Sequence, residues 1–486
     1  MNLLYRSAFT IAQDIKAQRI SAKEVLEFFL ARIARFNPDL NCVVALDEIG
    51  ARARADEADA AAARGEDWGP LHGVPLTIKD ALSTRGLVTV GGMPACRDNI
   101  PTENALAVQS YIDAGANIFG KTNVPFMSAD LQSFNEVYGT TNNPWNTQRT
   151  CGGSSGGAAS ALAAGLTPLE LGSDIGGSIR TPCHFNGVYG HKPSFGLVPS
   201  RGHLPPGEGI LSEGDLSVVG PLGTCVDDLE AALDLVARPM PEDAPGWKLD
   251  LPPATFTDPS TLRVAVWSDD VFCPVEDDVK QSIEEAGDSL AAIGAHVERE
   301  ARPDFNPRDN EINYSLLLMA EMGGGMPDAV FEGASAMVAA SDPADMSQPL
   351  LQMRGIALSH RDWLGQNEKR LKIRAAWTRF FQDFDVLLCP CAMVPAFPHD
   401  HNPDMHARVL QVNGQPRPYT DILGWAGLTL NAYLPVTAAP VGLSKEGLPI
   451  GVQIAAPFLG DRSSLAVARL LERHHRAFTP PPGYNQ

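Results

Sequence analysis

Apolar positions along this chain alternate between a helical period and short continuous runs. Ser21 and Glu24 form a capping box, and Leu26, Phe29, Leu30 and Ile33 follow at helical spacing. Asn37-Pro38 is the predicted end of that helix. The Ala-rich stretch 51–64 predicts a second helix. Gly73-Val-Pro-Leu-Thr-Ile-Lys79 is a short apolar run and predicts a strand with Lys79 at its C-terminal end. Residues 105–117 read as a helix and Ala116-Asn-Ile-Phe119 as a short strand. Leu262 to Trp267, Asp385-Val-Leu-Leu388 and Ile450-Gly-Val-Gln-Ile454 predict further strands. Val279, Ile283, Ala286, Leu290 and Ile293 mark an amphipathic helix ended by Gly294. Residues 200–215 are loop-like. Residues 305–365 follow neither period and read as irregular, although they hold six of the twelve methionines: 319, 322, 326, 337, 346 and 353. The βα alternation predicts an α/β fold.

Between these elements, residues 151–190 are dominated by Gly, Ala and Ser. Small residues permit close backbone approach at an entropic cost, so this stretch predicts a tightly packed interior. No Gly/Ser tract, long charge run or low-complexity block divides the chain. Residues 1–486 therefore read as one domain: an N-terminal helical segment 1–65, a core 66–304, a variable region 305–365 and a C-terminal part 366–486.

Composition narrows the partners. A chain with 44% hydrophobic and 20% charged residues reads as an ordinary soluble globular protein. A net charge of −20, without a basic stripe to offset it, argues against nucleic acid as a direct ligand. No apolar run approaches the roughly 18 residues of a membrane span, and the N-terminus lacks a signal core, so the cytoplasm is expected. The eight cysteines are sparse and irregular, and Cys389-x-Cys391 reads as a buried pair rather than a redox or metal site. His399, His401 and His406 read as loop histidines, so no metal is predicted. The Asn313-Tyr-Ser315 sequon carries little weight without secretion.

Three features invite a chemical reading: Lys79, Ser154 in Gly152-Gly-Ser-Ser-Gly156, and Ser178 in Asp174-Ile-Gly-Gly-Ser178. Gly152-x-Ser154-x-Gly156 matches a nucleophile elbow, but an elbow needs a strand before it, and Asn143 to Thr150 is a poor strand. No Gly-Lys-Ser/Thr phosphate loop occurs there. A serine nucleophile without histidine needs another base, and a buried neutral lysine serves. The glycines before Ser178 free the backbone to aim N–H groups at one point, as an oxyanion hole requires. On spacing alone, a solvated lysine and a tight turn before a helix remain open alternatives.

Taken together, the ordered blocks resemble the amidase signature enzymes. They are Gly73 to Asp80, Gly120-Lys-Thr-Asn-Val-Pro125, Gly139-Thr-Thr-Asn-Asn-Pro-Trp145, Gly152 to Gly157, Gly172 to Arg180, His191-Lys-Pro193 and Gly447 to Gln453. The resemblance covers nearly the whole chain. It implies a large mixed β-sheet between helical layers and an amidase that hydrolyses the C–N bond of carboxamides. It implies Lys79 as neutral base, Ser154 as proton relay after a cis peptide bond, and Ser178 as nucleophile. The backbone amides of Ile175, Gly176, Gly177 and Ser178 would form the oxyanion hole. Ser155 and Arg180 would support the network, and Met127 and Ser128 would line the substrate. No cofactor is implied. The expected partner is a small amide, with an aryl or alkyl group, or a carbamate, and a homodimer is a candidate assembly.

One relative within that family is the glutaminase subunit of a tRNA-dependent amidotransferase. Gly427-Leu-Thr-Leu-Asn-Ala-Tyr-Leu-Pro435 departs from the Asn-Leu-Ala-Gly-Leu-Pro pattern of that subunit, which favours a free-standing hydrolase. A non-catalytic scaffold is the third reading, and the presence of all three triad positions weighs against it. The Met-rich region 305–365 is expected to set specificity, either as an adaptable apolar wall or as core filler.

Overall fold

The structure, a computed structural model, describes residues 2–486. Its centre is a mixed sheet of eight strands. In spatial order they are His296–Glu298, Arg263–Val266, Val386–Pro390, Pro449–Ala455, Val436–Leu443, Tyr189–Lys192, Val218–Gly223 and Leu169–Asp174. Arg263–Val266 runs parallel to both of its neighbours, and the remaining pairs are antiparallel. A separate three-stranded sheet pairs Asn117–Thr122 with Val43–Leu46 and, in parallel, with Pro75–Lys79. The strand Pro75–Lys79 packs beside Leu169–Asp174. Thr77 joins the two by donating its hydroxyl to Glu170 at 2.5 Å.

Alternating residues of the large sheet face different helices. Ala438 joins Ala158, Leu162, Ile179, Cys183 and Leu222 in one buried cluster, under the helices Gly156–Ala163 and Arg180–Asn186. Ala439 and Val441 face the larger core, with Val279, Ile283 and Leu290 of Asp277–Ala292 and Leu465 and Leu471 of Asp461–His474. The sheet is thus covered by helices on both sides, as the resemblance implies. Cys389 and Cys391 are buried free thiols. No helix among the described residues is long and apolar enough to cross a membrane.

The sequence-predicted elements appear with adjusted ends. The capping box at Ser21 forms, but its helix passes Pro38 and stops at Leu40, where Asn41 takes a left-handed conformation. A proline in the last turn forfeits one backbone bond without breaking the turn. The predicted helix 105–117 is shorter, Leu106–Asp113. Asn146–Thr150, read as a poor strand, does form one, in a two-stranded ribbon with Asn142–Asn143.

The largest correction concerns residues 305–365. They are not irregular: Pro307–Gly323, Asp328–Ala340 and Gln348–Ile356 are helices, and His360–Asp383 begins a fourth. The first buries Asn310, Glu311 and Asn313 beside Tyr314, Leu317 and Leu318, so polar residues interrupt the apolar period that would have marked it. Asn306 caps that helix and Pro307 opens it, a start signal present in the sequence. None of the six methionines there is fully buried, which weighs against core filling.

Candidate active site

The segment 151–192 is buried throughout, with Ile175 alone half-buried. Lys79 ends its strand, fully buried, with Nζ 2.7 Å from Ser154 Oγ and 2.9 Å from Ser173 Oγ. Burial pushes the Lys79 ammonium down to about 7, although Asp174 and Glu170 pull the other way. An amine in that range is neutral in a large fraction of molecules near neutral pH and can accept a proton.

Ser154 follows a cis peptide bond from Gly153. Gly153 is forced at this point, because a Cβ there would stand 2.5 Å from the Asp130 carbonyl oxygen. Ser155 then leads into the helix Gly156–Ala163 and ties the Ser178 turn to the strand Leu169–Asp174 before it. Its N–H donates to the Ser178 carbonyl at 3.1 Å, and its hydroxyl donates to the Ser173 carbonyl at 3.2 Å.

Ser178 sits in the turn between the strand Leu169–Asp174 and the helix Arg180–Asn186. It is 4% exposed, against 0% for Lys79 and 1% for Ser154, so it is the nearest of the three to solvent. Gly177 before it has φ +99°, and a Cβ there would meet Thr181 Oγ1 at 2.9 Å. The Asp174 carboxylate clamps this turn. It accepts from the N–H groups of Gly177 (2.8 Å) and Ile179 (3.0 Å), and from Arg180 Nε (3.0 Å) and Nη2 (2.8 Å). Burial alone would raise Asp174, but Arg180 and these donors outweigh it and hold the carboxyl at about 2. Arg180 is itself fully buried and continues to Thr429 Oγ1 at 2.9 Å and to Gln453.

The Gly177 N–H is therefore spent on Asp174. Among the described residues, those of Ile175, Gly176 and Ser178 have no protein acceptor. The donor set expected from the sequence shrinks from four N–H groups to three. The Ile175 carbonyl accepts from the Tyr314 hydroxyl at 2.9 Å, which fixes the peptide plane that carries the Gly176 N–H.

Around this turn lies an apolar wall. Tyr314, Leu216, Leu317, Leu318 and Leu430 cluster there, with Ile175, Met322, Trp363, Leu423 and Tyr433 partly exposed against them. A Cβ on Gly176 would touch Leu423 at 3.2 Å. Asp215 and Arg370, next to the wall, pair with each other at 2.6 Å. Met127 and Ser128 occupy a short turn in which both have positive φ. The Met127 N–H donates to the Gly91 carbonyl at 2.9 Å, and the Ser128 hydroxyl is buried without a partner.

The structure also brings in groups that the sequence reading missed. Ser173 lies inside the Gly172 to Arg180 block, and only its position there signalled it. His203 lies in the 200–215 loop, and nothing in the local pattern marked it. Tyr314 was hidden in the misread 305–365 region. His401, considered as a metal ligand, stacks on Phe134 at 4.1 Å, and His406 bonds Gln352 at 3.1 Å.

The profile of the amidase family matches residues 24–465. The chain is 32% identical to a glutamyl-tRNA(Gln) amidotransferase subunit of Synechococcus sp. (strain CC9902), over 96% of each chain. It is 31% identical to the indoleacetamide hydrolase of Bradyrhizobium diazoefficiens, over 96% of this chain and 86% of that one. A bacterial aryl acylamidase of solved structure superposes with a TM-score of 0.82 at 24% identity, covering 99% of each chain, a likeness of fold.

Proposed function

This chain belongs to the amidase signature family of C–N hydrolases, and from that premise we propose that it is a free-standing amidase acting on carboxamides with apolar aryl or alkyl groups. Ser178 is the nucleophile, Ser154 the relay and Lys79 the base. The observation that carries this reading is a buried amine, held near 7, at 2.7 Å from a serine hydroxyl next to the Ser178 turn.

The chemistry follows from proton bookkeeping. Neutral Lys79 takes the Ser154 hydroxyl proton while Ser154 takes that of Ser178. The Ser178 oxygen attacks the carbonyl carbon, and the oxyanion faces the free N–H groups of Ile175, Gly176 and Ser178. A donor of this kind is typically worth about 3–4 kcal/mol in the transition state. Lys79 returns its proton through Ser154 to the leaving nitrogen, the C–N bond breaks, and an ester on Ser178 remains. Water then enters by the same route and releases the acid. Arg180 and Ser155 support the turn, and Met127 with Ser128, whose buried hydroxyl has no protein partner, is assigned to the substrate side. A carbamate fits the same geometry, with slower turnover because its carbonyl-enzyme is less electrophilic.

A second reading, glutaminase within an amidotransferase, is favoured by the similarity to the Synechococcus protein. The wall beside Ser178 supports the first. Glutamine brings an ammonium and a carboxylate, and the ionic pair at that wall, Asp215 with Arg370, already satisfies itself. The test is a panel on purified protein: glutamine, benzamide, an aryl acylamide and an aryl carbamate, each beside Ser178→Ala. Aryl amide turnover that vanishes in the variant is expected. Turnover of glutamine alone would overturn the free-standing reading.

A further inference from the structure

Ser173 sits between two nitrogens. Its Oγ is 2.9 Å from Lys79 Nζ and 2.8 Å from His203 Nε2. The other ring nitrogen of His203, Nδ1, is 2.9 Å from the Pro205 carbonyl oxygen. A carbonyl can only accept, so Nδ1 bears the ring hydrogen and Nε2 presents its lone pair. Burial, and then Lys79 close by, push His203 down to about 4, so the ring is neutral wherever the enzyme works. The Ser173 hydroxyl hydrogen consequently points to Nε2.

A neutral amine has two hydrogens and one lone pair. Three oxygens surround Lys79 Nζ: Ser154 Oγ at 2.7 Å, Ser173 Oγ at 2.9 Å and the Ser173 carbonyl at 3.5 Å. If the Ser173 hydroxyl donated to the amine, it would occupy the lone pair that Ser154 needs. We propose that His203 is a positioning residue that sets the direction of the relay: by taking the Ser173 hydroxyl hydrogen, it makes the Ser173 oxygen an acceptor for a Lys79 N–H and leaves the amine lone pair to Ser154. The same arrangement serves the next state. Once Lys79 becomes an ammonium, its three hydrogens face three acceptors, Ser154 Oγ, Ser173 Oγ and the Ser173 carbonyl. This inference rests on the reading of Lys79 as base and Ser154 as relay. The charged groups that face Lys79 are Asp174 and Glu170, both on the strand of Ser173, and Lys79 is the charge that faces His203.

The experiment compares His203→Phe, which removes the acceptor, with His203→Gln, which retains one, on an aryl amide. His203→Phe is expected to lower kcat by about 10–100-fold with KM nearly unchanged, the scale of a misaligned relay. Its acid limb should move to lower pH, because a Ser173 hydroxyl turned onto the amine stabilises the neutral form. His203→Gln should recover most of kcat and the wild-type limb. In a Ser173→Ala background, His203→Phe should cost nothing further. Equal kcat and acid limb in His203→Phe and wild type would overturn the proposal, as would full additivity with Ser173→Ala. Should His203→Phe not fold, as judged by thermal melting, His203→Ala carries the same cycle. Ser178→Ala separates the two levels. Hydrolysis that survives it sinks the underlying reading, whereas a dead Ser178→Ala with an additive cycle sinks only the role of His203.

Discussion

The segment 151–192 and the helices of 305–365 meet at the turn that carries Ser178, yet they are built on opposite principles. The first is buried along its length, and one carboxylate, Asp174, gathers donors from Gly177, Ile179 and Arg180. The second is buried unevenly: Pro307–Gly323 places Tyr314 and Leu317 inside, but Asp328–Ala340 lies open. In Asp328–Ala340 only Ala334 is buried, while Val330, Phe331 and Met337 are exposed. Tyr314 is where the two regions touch by a hydrogen bond. Close packing and crossed hydrogen bonds hold reacting atoms in place, whereas a loosely covered, Met-bearing wall can reshape around different substrates. On the proposed function, the division assigns reaction and selectivity to separable parts of this fold.

The sharpest way to test that division is to disable the rigid part. Ser178→Ala and Lys79→Met are each expected to lower kcat by about 10⁴-fold or more, the scale of losing a triad member, while leaving substrate binding intact. Single-turnover kinetics and an equilibrium binding assay check both halves of the statement. Lys79 also predicts a pH profile. Its buried value of about 7 means that activity should rise with pH through about 7 and be lost below it, as the ammonium forms. The sign for stability runs the same way. Lys79 binds its proton more weakly folded than unfolded, so folding weakens as pH falls from the ordinary lysine range through about 7. Lys79→Met should therefore gain more stability over wild type at pH 6 than at pH 10, measured by urea unfolding at both.

Next in size is the clamp itself. Arg180→Met leaves the buried Asp174 carboxylate without its cation and is expected to cost about 3–5 kcal/mol of stability. The matching change in the variable region, Arg308→Met, removes a half-exposed arginine from the buried Glu311, which keeps Gln348 as a donor, and should cost less, about 1–2 kcal/mol. Denaturant midpoints of the two variants decide the point, and equal costs would break the contrast between the regions. Smaller again is selectivity. Met322→Ala and Leu423→Ala should shift the ratio of kcat/KM between bulky and small amides by about 10-fold, the worth of one or two lost methylenes. Turnover on the smallest amide should barely change. An unchanged ratio in Met322→Ala would remove 305–365 from the specificity wall.

How much of this was legible in the sequence differs between the same two regions. Lys79, Ser154 and Ser178 stood in short blocks that spacing alone left open to a structural reading, and only the ordered resemblance across the chain gave them roles. The strand ending at Lys79 and the capping box at Ser21 formed where the pattern put them. The helix Pro307–Gly323 escaped because its buried face carries Asn310 and Asn313, which both accept from Asn431, and Glu311, which accepts from Arg308 and Gln348, instead of an apolar stripe. Ser173 and His203 escaped for another reason. Their contact joins residues 30 positions apart through one hydroxyl, and no periodicity encodes it. The role of Gly177 was read one step wrong because a glycine in such a turn can supply either an open N–H or the bend that lets its N–H reach Asp174.

The finest test concerns the single hydrogen bond that crosses between the regions. Tyr314→Phe keeps the ring packed against Gly427 and removes only the hydroxyl that binds the Ile175 carbonyl. Loss of one such bond is expected to cost about 1 kcal/mol of stability. If Tyr314 merely glues the helix to the turn, stability should fall and kcat should not. The Ile175 carbonyl belongs, however, to the same peptide plane as the Gly176 N–H, one of the three free donors proposed for the oxyanion. A plane released to rock presents that donor less accurately, so kcat should fall a few-fold while KM holds. A drop in kcat on small and bulky amides alike would assign Tyr314 to the rigid chemistry. A drop confined to bulky amides would assign it to the adaptable wall, and would move the border between the two regions from the Tyr314 hydroxyl to the Ser178 turn.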